Sequence, residues 1–542
     1  MPGHSISARP ARGEARPTAL MLADDVAVYL QDAARTPGGH ALSVCLPRTE
    51  AEVSEVVRTA RSLLPVGAQS SLTGGATPFG ETVLSLARMD AILRVGSDRA
   101  RVEAGVALVS LEAAASSRRL FYPPAPTFRG AFVGGTVATN AAGAATFKYG
   151  STRRWVRALT IVLSNGDVLD VERGECPAHA DGYFEVVLTS GEKRRIPVPT
   201  YRMPQVPKRS AGYHAEAGMD LVDLFVGSEG TLGVITEVEV VLVPEPARLL
   251  AFATLPTERE ALTLVGRLRG AAHDAWSSGD PRCLDVAAIE SMDARCLEML
   301  RSDGKDRECR IPLDLSAGAA ILVQIELTAG AGASDVMDQI ALFEGNASAD
   351  TPVARLLRLL RDAGVLDSVQ MSLPGDTHRA QQFLDLREAV PMAVNHRIAE
   401  AQRTRPGVRK VAADMIVPFE SLGGMMEFYR EGFTRRGLDH ALWGHVSDGN
   451  IHANVIPRTE EDVRRGEEAF LDFAAEAARL GGCPLSEHGV GRSACKQELL
   501  RRLYGDQGIG EMRRVKAALD PEGKLAPGVL FPRGLAPTEP FR

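Results

Sequence analysis

A glycine-rich stretch near the N-terminus constrains this chain more than any other feature of its sequence. Residues 65–75 read PVGAQSSLTGG and contain three glycines, three hydroxyl side chains and no charge. Glycine lets the backbone approach a ligand closely, and successive N–H groups in such a loop form an anion-binding concavity. No lysine closes the loop as in a P-loop, and the G-x-G-x-x-G spacing of a Rossmann fingerprint is missing. The stretch therefore indicates either a diphosphate-binding loop of another type or a glycine-rich surface turn.

Two further glycine-rich runs separate these interpretations. Residues 134–143 read GGTVATNAAG and lead to KYG at 148–150, and residues 227–236 read GSEGTLGVIT. The three runs, in this order, resemble the FAD-binding domain of the vanillyl-alcohol-oxidase (PCMH-type) flavoproteins. Within that superfamily the chain is most similar to the D-2-hydroxyacid dehydrogenases: D-lactate dehydrogenase, the glycolate oxidase flavin subunit and D-2-hydroxyglutarate dehydrogenase. The resemblance extends over about residues 42–530.

The resemblance implies an α+β fold with several domains, as expected for 542 residues, which exceed one ordinary core. A two-subdomain PCMH-type FAD-binding domain, a ferredoxin-like α+β substrate (cap) domain and a C-terminal helical segment are expected. We place an N-terminal tail and first helix at 1–40 and the FAD-binding domain at 41–245, with an irregular insertion at about 172–218. The substrate domain follows at 246–480, and 481–542 is expected to return to the flavin site.

The flavin contacts that the resemblance implies lie in and beside the three runs. They are Val66, Gly67, Ala68, Gln69, Ser70, Ser71, Gly74, Thr127, Gly135, Thr139, Asn140, Gly143, Lys148, Glu229, Gly233 and Ile235. From the residues alone, the glycines equally suit turns and Lys148 suits a solvated surface. No residue suggests covalent attachment, so non-covalent FAD is expected.

A second motif, WGHVSDGNIH at 443–452, carries two histidines. Asp448-Gly449 predicts a two-residue hairpin turn between apolar strands, in which His445 lies opposite His452. Directly opposite residues share one face of the sheet, about 4.5–5.5 Å apart at Cβ, so two imidazoles there can chelate one metal ion. The alternative is a structural hairpin whose histidines only form hydrogen bonds.

The motif SEHGVG at 486–491 supplies the remaining groups of a metal site. The resemblance implies that His445, His452 and Glu487 bind zinc or manganese and that His488 is the catalytic base. A metal that polarises the substrate hydroxyl lowers its pKa, and a histidine with a pKa near 6.5 can take the proton as hydride leaves for the flavin.

Arg387 matches the substrate-binding arginine of the resembled family, because a planar guanidinium binds a carboxylate through two hydrogen bonds. An ordinary exposed helix arginine is the alternative. Ala412 stands where relatives that bind a second substrate carboxylate have lysine, which favours a smaller or more apolar acid. Ala526 replaces the asparagine of an Asn-Pro-Gly motif, which removes one polar group near the flavin.

Composition limits the partners of the chain. A formal net charge of -7 argues against nucleic acid, and no apolar run reaches membrane-spanning length. Seven cysteines without a C-x-x-C pair fit a reducing compartment. We expect a cytoplasmic protein with a flexible tail at 1–17, and a position at the membrane surface is left open. The expected partners are a small 2-hydroxy acid, an unidentified electron acceptor and a second copy of the chain in a homodimer.

The sequence thus predicts an FAD- and metal-dependent dehydrogenase of a D-2-hydroxy acid resembling D-lactate. Two alternatives stay open. One is a non-redox flavoenzyme of the alkylglycerone-phosphate synthase type, against which the DGNIH turn and Glu487 argue. The other is a flavin-binding subunit without independent catalysis, working within an electron-transfer complex.

Overall fold

The structure is a computed structural model that describes residues 4–14, 26–124, 126, 128–346 and 348–533. The chain divides into two compact units. The first unit comprises 1–143, 150–243 and 485–542, and the second comprises 144–149 and 244–484. Helices and strands alternate in both, which confirms the predicted α+β class.

The described residues of the first unit form three sheets of three or more strands. A parallel sheet has the order Ser43–Cys45, Thr82–Ser85, Leu63–Val66. An antiparallel sheet has the order Ile92–Val95, Arg99–Glu103, Val234–Val241, Val156–Val162, Val168–Glu172. A third sheet has the order Ser5–Ser7, Tyr183–Val187, Lys193–Pro197. A short strand, Leu120–Phe121, also belongs to this unit, and Val243–Pro244 lies at its boundary.

Five α-helices and two 3₁₀ turns lie among the described residues of the first unit. The α-helices are Glu50–Thr59, Leu108–Ser116, Val133–Ala138, Leu221–Phe225 and Ala494–Leu519, and the 3₁₀ turns are Ala27–Tyr29 and Thr152–Trp155. The helix Glu50–Thr59 begins where the hydroxyl of Thr49 accepts the N–H of Glu52, which satisfies one of the unpaired donors of the first turn. The last helix is kinked at Gly505, whose φ of 69° is not helical.

The C-terminal segment completes the parallel sheet of the first unit. Leu63 N donates to Lys524 O at 2.8 Å, and Ala526 N donates to Leu63 O at 2.7 Å. Nearby, the Ser164 hydroxyl donates to the carbonyl of Leu519 at 2.6 Å. These bonds join residues more than 350 positions apart, so the first unit is assembled from both ends of the chain.

One expectation for the first unit was wrong. The insertion was expected to be irregular, but it contains the hairpin Tyr183–Val187 and Lys193–Pro197. Its alternation buries Phe184 and Val186 on one face, which is the pattern of a half-buried strand.

The N-terminal tail is also more ordered than expected. Ser5–Ser7 pairs in parallel with the first strand of that hairpin. The Arg9 guanidinium then contacts Glu50 and Asp170, each at 2.6 Å. The tail is therefore held by ladder hydrogen bonds and by two ion pairs.

The second unit is organised around one antiparallel sheet. Its strand order is Gln370–Ser372, Ala247–Leu255, Ala319–Leu327, Asp285–Asp293, His440–His445, Asn450–Val455, Val411–Ala412, and Met415–Ile416 also pairs with Asn450–Val455. The helices are Thr146–Tyr149, Glu258–Ser278, Ala294–Ser302, Lys305–Glu308, Ala333–Gly345, Pro352–Asp362, Thr377–Thr404, Phe419–Arg435 and Glu460–Arg479, and Val446–Asp448 is a 3₁₀ turn.

The helix Thr377–Thr404 contributes one face to the apolar core of the second unit. Phe383, Leu386 and Val390 recur at helical spacing and are buried in one cluster with strand residues such as Phe252. The rings of Phe252 and Phe383 stack with centroids 5.9 Å apart. This packing fixes the face of the helix that carries Arg387. Among the residues that the structure describes, no helix combines the length and the apolar composition needed to cross a membrane.

We predict that Gly491→Ala destabilises the first unit by about 2 kcal/mol or more, because two effects add. Gly491 has a φ of +57°, and an added Cβ would lie 2.1 Å from the Thr73 hydroxyl oxygen. Urea denaturation measures the loss. Gly510→Ala is the matched control, since Gly510 lies within a helix and an added Cβ would lie 3.9 Å from Arg514 Nη1, so this change should be neutral or mildly stabilising. Equal stability of the two variants would contradict the prediction.

Candidate functional site

The three glycine-rich runs converge within the first unit. A Cβ built on Gly67 would lie 3.7 Å from the Cα of Gly135, which joins the first run to the second. In the third run, Glu229 N donates to Ala138 O at 2.8 Å, and Gly227 N donates to Val137 O at 3.0 Å. The strand Leu63–Val66 therefore delivers the first run to the place where the other two meet.

Several residues in the runs are also required for turn geometry or packing. Gly74 has a φ of +74°, and an added Cβ on Gly233 would lie 2.5 Å from the Ile161 side chain. Asn140 has a φ of 48° and accepts the N–H of Arg153 with its side-chain oxygen. Ile235 is buried in a strand. Turn geometry and packing thus explain part of the motif, and the flavin contacts stay predictions. Thr127 lies outside the described residues.

Lys148 belongs to the second unit, where it is only partly exposed and pairs with two carboxylates. Its ammonium lies 2.5 Å from Asp285 and 2.6 Å from Glu326, and the Tyr149 hydroxyl also donates to Glu326. Gly143 is the last residue of the first unit before this short segment, and Gly150 is the first residue after it.

Glu229 is hydrogen-bonded to the backbone of the segment that carries Glu487 and His488. Its two carboxylate oxygens accept the N–H groups of Val490 at 2.8 Å and Gly491 at 2.7 Å. Burial raises the pKa of Glu229 to about 7, and the two N–H groups oppose that rise. Glu229 was predicted only as a flavin contact. It also fixes the backbone two and three residues after His488, the predicted base.

Glu487 and His488 lie together in the first unit. The Glu487 carboxylate contacts His488 Nε2 through Oε1 at 3.6 Å and Lys208 Nζ through Oε2 at 3.0 Å. The Lys208 side chain is fully buried. A buried ammonium needs a charged or strongly polar partner, and Glu487 supplies one.

The histidine hairpin of the second unit differs from its predicted register. His445 pairs with Asn450 and Trp443 pairs with His452, because Val446 and Ser447 are buried in a 3₁₀ turn instead of extending the strand. The loop therefore has four residues and closes at Gly449, whose φ is 84°. A shift by two residues keeps both histidines on one face as diagonal neighbours. Their ring centroids are 5.3 Å apart.

A buried carboxylate links one of these histidines to Arg387. Glu290 contacts His445 Nδ1 through Oε1 at 3.0 Å and accepts from Arg387 Nη2 through Oε2 at 3.2 Å. Burial alone disfavours the ionised form, but the charges of Arg387 and His445 outweigh burial and hold the pKa of Glu290 well below its usual range. Arg387 is buried, so the exposed-arginine alternative is wrong.

The other histidine has a carboxylate neighbour as well. The strand register places Asp414 opposite His452, and Asp414 Oδ1 lies 3.9 Å from His452 Nδ1. Asn450 donates to the same carboxylate oxygen at 3.5 Å. All three side chains are buried.

The predicted metal ligands are divided between the two units. His445 and His452 belong to the second unit and Glu487 to the first. The donor chemistry fits zinc or manganese, since imidazole and carboxylate are ligands of both. Glu290 holds Nδ1 of His445, which is how proteins orient a histidine that binds a metal through Nε2.

Three residues of these clusters were missed by the sequence analysis. Glu290 lies in the interior of the strand Asp285–Asp293, between its two terminal aspartates, and a carboxylate among these apolar residues is a detectable signal. Asp414 lies two residues after Ala412 and was given no role. Lys208 precedes Arg209, and no periodicity in this irregular segment distinguishes a buried cation from an exposed one.

Comparison with known proteins gives consistent matches over most of the chain. The FAD binding domain family matches residues 41–172, and the family of FAD linked oxidases, C-terminal domain, matches residues 271–530. The glycolate oxidase subunit GlcD of Bacillus subtilis is 28% identical over 516 residues, covering 93% of this chain and 92% of the relative. The mitochondrial D-2-hydroxyglutarate dehydrogenase of Bos taurus is 28% identical and covers 92% and 78%. The D-lactate dehydrogenase of Anaerostipes hadrus is 26% identical and covers 88% and 86%.

Solved structures share the fold at low identity. A 4-ethylphenol oxidase from Gulosibacter chungangensis is similar with a TM-score of 0.61 at 18% identity, covering 94% of this chain and 93% of that chain. An alkyldihydroxyacetonephosphate synthase is similar with a TM-score of 0.54 at 16% identity, covering 90% and 75%. These matches support the predicted architecture of a PCMH-type flavin domain with a second α+β domain.

We predict that Glu290→Ala lowers the free energy of unfolding by about 3–5 kcal/mol, because it leaves the buried Arg387 guanidinium without its counterion. Chemical denaturation monitored by tryptophan fluorescence measures the change. Glu298→Ala is the matched control, since its ion pair with Arg295 is exposed and should contribute less than about 1 kcal/mol. A loss below 1 kcal/mol for Glu290→Ala would refute the buried network.

A pH dependence follows from Glu229. Its pKa rises from 4.5 to about 7 in the native state, so the native protein takes up a proton in this range that the unfolded chain does not. This carboxyl therefore favours the fold as pH falls from 7 to 4.5 and opposes it as pH rises through 7, by about 1–3 kcal/mol. Glu229→Gln should flatten the dependence of the unfolding free energy on pH between 4.5 and 7. Parallel curves for wild type and Glu229→Gln would show the prediction to be wrong.

Proposed function

We propose that this chain, which matches the FAD binding domain family and the family of FAD linked oxidases, C-terminal domain, oxidises a D-2-hydroxy acid resembling D-lactate to the 2-oxo acid. One observation carries the proposal. Relatives named for glycolate, D-lactate and D-2-hydroxyglutarate are similar over 88–93% of this chain, and each of those names is a 2-hydroxy acid.

The reaction removes a hydride from C2 and a proton from the hydroxyl on C2. Bound FAD supplies the hydride acceptor, and a bound zinc or manganese ion would polarise the hydroxyl. The proposed protein ligands of the ion are His445, His452 and Glu487, and Asp414 joins them as a further candidate because it neighbours His452.

His488 is the proposed general base. It receives the hydroxyl proton at a ring nitrogen, and an imidazole with a pKa near 6.5 is suited to that transfer at neutral pH. Glu229 helps to fix the place of His488 in the fold, because it accepts hydrogen bonds from the backbone N–H groups of Val490 and Gly491.

Arg387 has two proposed tasks. It orients Glu290 and thereby His445, and it binds the substrate carboxylate. The two tasks are compatible because a guanidinium carries five N–H donors and the contact with Glu290 uses Nη2. Ala412 lies on the strand beside Asn454 and offers no charge to a second substrate carboxylate, which supports a small monocarboxylic acid.

The experiment is an anaerobic absorption measurement on the FAD-loaded protein with D-lactate, glycolate or D-2-hydroxyglutarate in separate cuvettes. We predict that the flavin band bleaches with D-lactate most rapidly. His488→Asn should retain the flavin spectrum and slow bleaching by about 10²–10⁴-fold.

His396→Gln is the matched control, because this histidine is 66% exposed on a helix and should react at the wild-type rate. Bleaching of the His488→Asn variant at the wild-type rate would remove His488 from the mechanism. A flavin spectrum that no 2-hydroxy acid bleaches would overturn the proposed reaction.

A further inference from the structure

We infer that Lys208 is a positioning residue that fixes the Glu487 carboxylate as a metal ligand. The inference rests on the proposed function, in which Glu487 binds a divalent ion. Lys208 lies in the segment that the sequence analysis assigned to an insertion, and no role was predicted for it.

The ion pair between Lys208 and Glu487 is buried, which distinguishes it from a chance contact at the surface. Lys208 Nζ lies 3.0 Å from Glu487 Oε2, with the lysine side chain 0% and the glutamate side chain 8% exposed. Removing an ammonium from water entirely is unfavourable unless an opposite charge receives it. A surface lysine that happened to approach a carboxylate would keep its charged end in water.

The backbone around Lys208 is fixed on two sides. Two residues further on, Ser210 N donates to Ser486 O at 2.9 Å, beside Glu487. The Ser210 hydroxyl donates to Thr139 O at 3.0 Å, in the second glycine-rich run. The insertion therefore holds Lys208 at a defined distance from the glycine-rich runs and from the Glu487 segment.

Glu487 has little local structure to orient it. It lies in an irregular segment in which Gly489 and Gly491 both have positive φ values of 75° and 57°. Lys208 engages Oε2, while Oε1 is the oxygen nearer to His488 Nε2, at 3.6 Å. The two oxygens are thereby distinguished, and Oε1 is assigned as the ligand atom.

Two effects of Lys208 on metal binding oppose each other. Its hydrogen bond limits the rotation of the carboxylate, and loss of such an outer partner typically weakens metal affinity 10–100-fold. Its charge repels a divalent ion, so loss of the charge alone would strengthen binding. We expect orientation to dominate, because the ammonium and the ion would occupy different oxygens of one carboxylate.

The test compares Lys208→Met, which removes the hydrogen bond and the charge, with Lys208→Gln, which keeps a donor without the charge. The FAD-loaded proteins are stripped of metal with a chelator and titrated with Mn²⁺. Electron paramagnetic resonance distinguishes the free ion from the bound ion. We predict that Kd rises 10–100-fold in Lys208→Met and stays within about threefold of wild type in Lys208→Gln, with unchanged flavin spectra.

Arg209→Met is the matched control, since it removes the neighbouring cation, whose ion-pair partner Glu216 is exposed, and it should leave Kd within about threefold of wild type. Unchanged or tighter Mn²⁺ binding by Lys208→Met would overturn the inference. If that variant does not fold, Lys208→Thr replaces it, because the shorter polar side chain cannot reach Glu487: a Kd raised tenfold or more supports the inference, and an unchanged or lower Kd overturns it.

Glu487→Gln separates this inference from the proposed function. If Glu487→Gln binds Mn²⁺ as wild type does, Glu487 is not a ligand and the proposed metal site is wrong. If Glu487→Gln loses Mn²⁺ while Lys208→Met keeps it, the metal site stands and the role of Lys208 is wrong.

Discussion

The two hydrogen bonds that Glu229 accepts from Val490 and Gly491 are the constraint on which the chemistry of the first unit depends. They bind the third glycine-rich run to a segment about 260 residues later in the chain. That segment has two glycines with positive φ and is irregular, so it would not hold Glu487 and His488 by its own backbone preferences. A buried carboxylate with two backbone donors provides what the local sequence does not.

Buried charges follow one rule in both units. Glu290 satisfies Arg387 and His445 together, and Glu487 satisfies Lys208. Each cluster contains an acid and at least one base, because an unpaired charge in a protein interior is strongly unfavourable. The rule places the ionisable side chains of the proposed reaction among partners that fix their orientation before any ligand arrives. Orientation of this kind is what a ligand set and a general base require.

Glycine spacing and the two histidine-containing motifs allowed the fold class and the flavin-binding family to be predicted, since these features are local in sequence. The hairpin register was missed by two residues because burial of Val446 and Ser447 decided the loop length, and burial is a tertiary property. The hairpin within the insertion carried an alternating pattern that was overlooked. Lys208 was not predictable, because its burial depends on Glu487, a residue 279 positions away. Glu290 was within reach, as a carboxylate in an apolar strand.

The pairing of Leu63 with the chain around Leu525 has a consequence for biosynthesis. A ribosome releases the chain from its N-terminus, so the strand Leu63–Val66 emerges long before the segment that completes its sheet. The first unit cannot finish folding until the ribosome has released the segment around Leu525, and the second unit is made in the interval. During that time one edge of the parallel sheet lacks its final partner, which is the state in which nascent chains depend on chaperones.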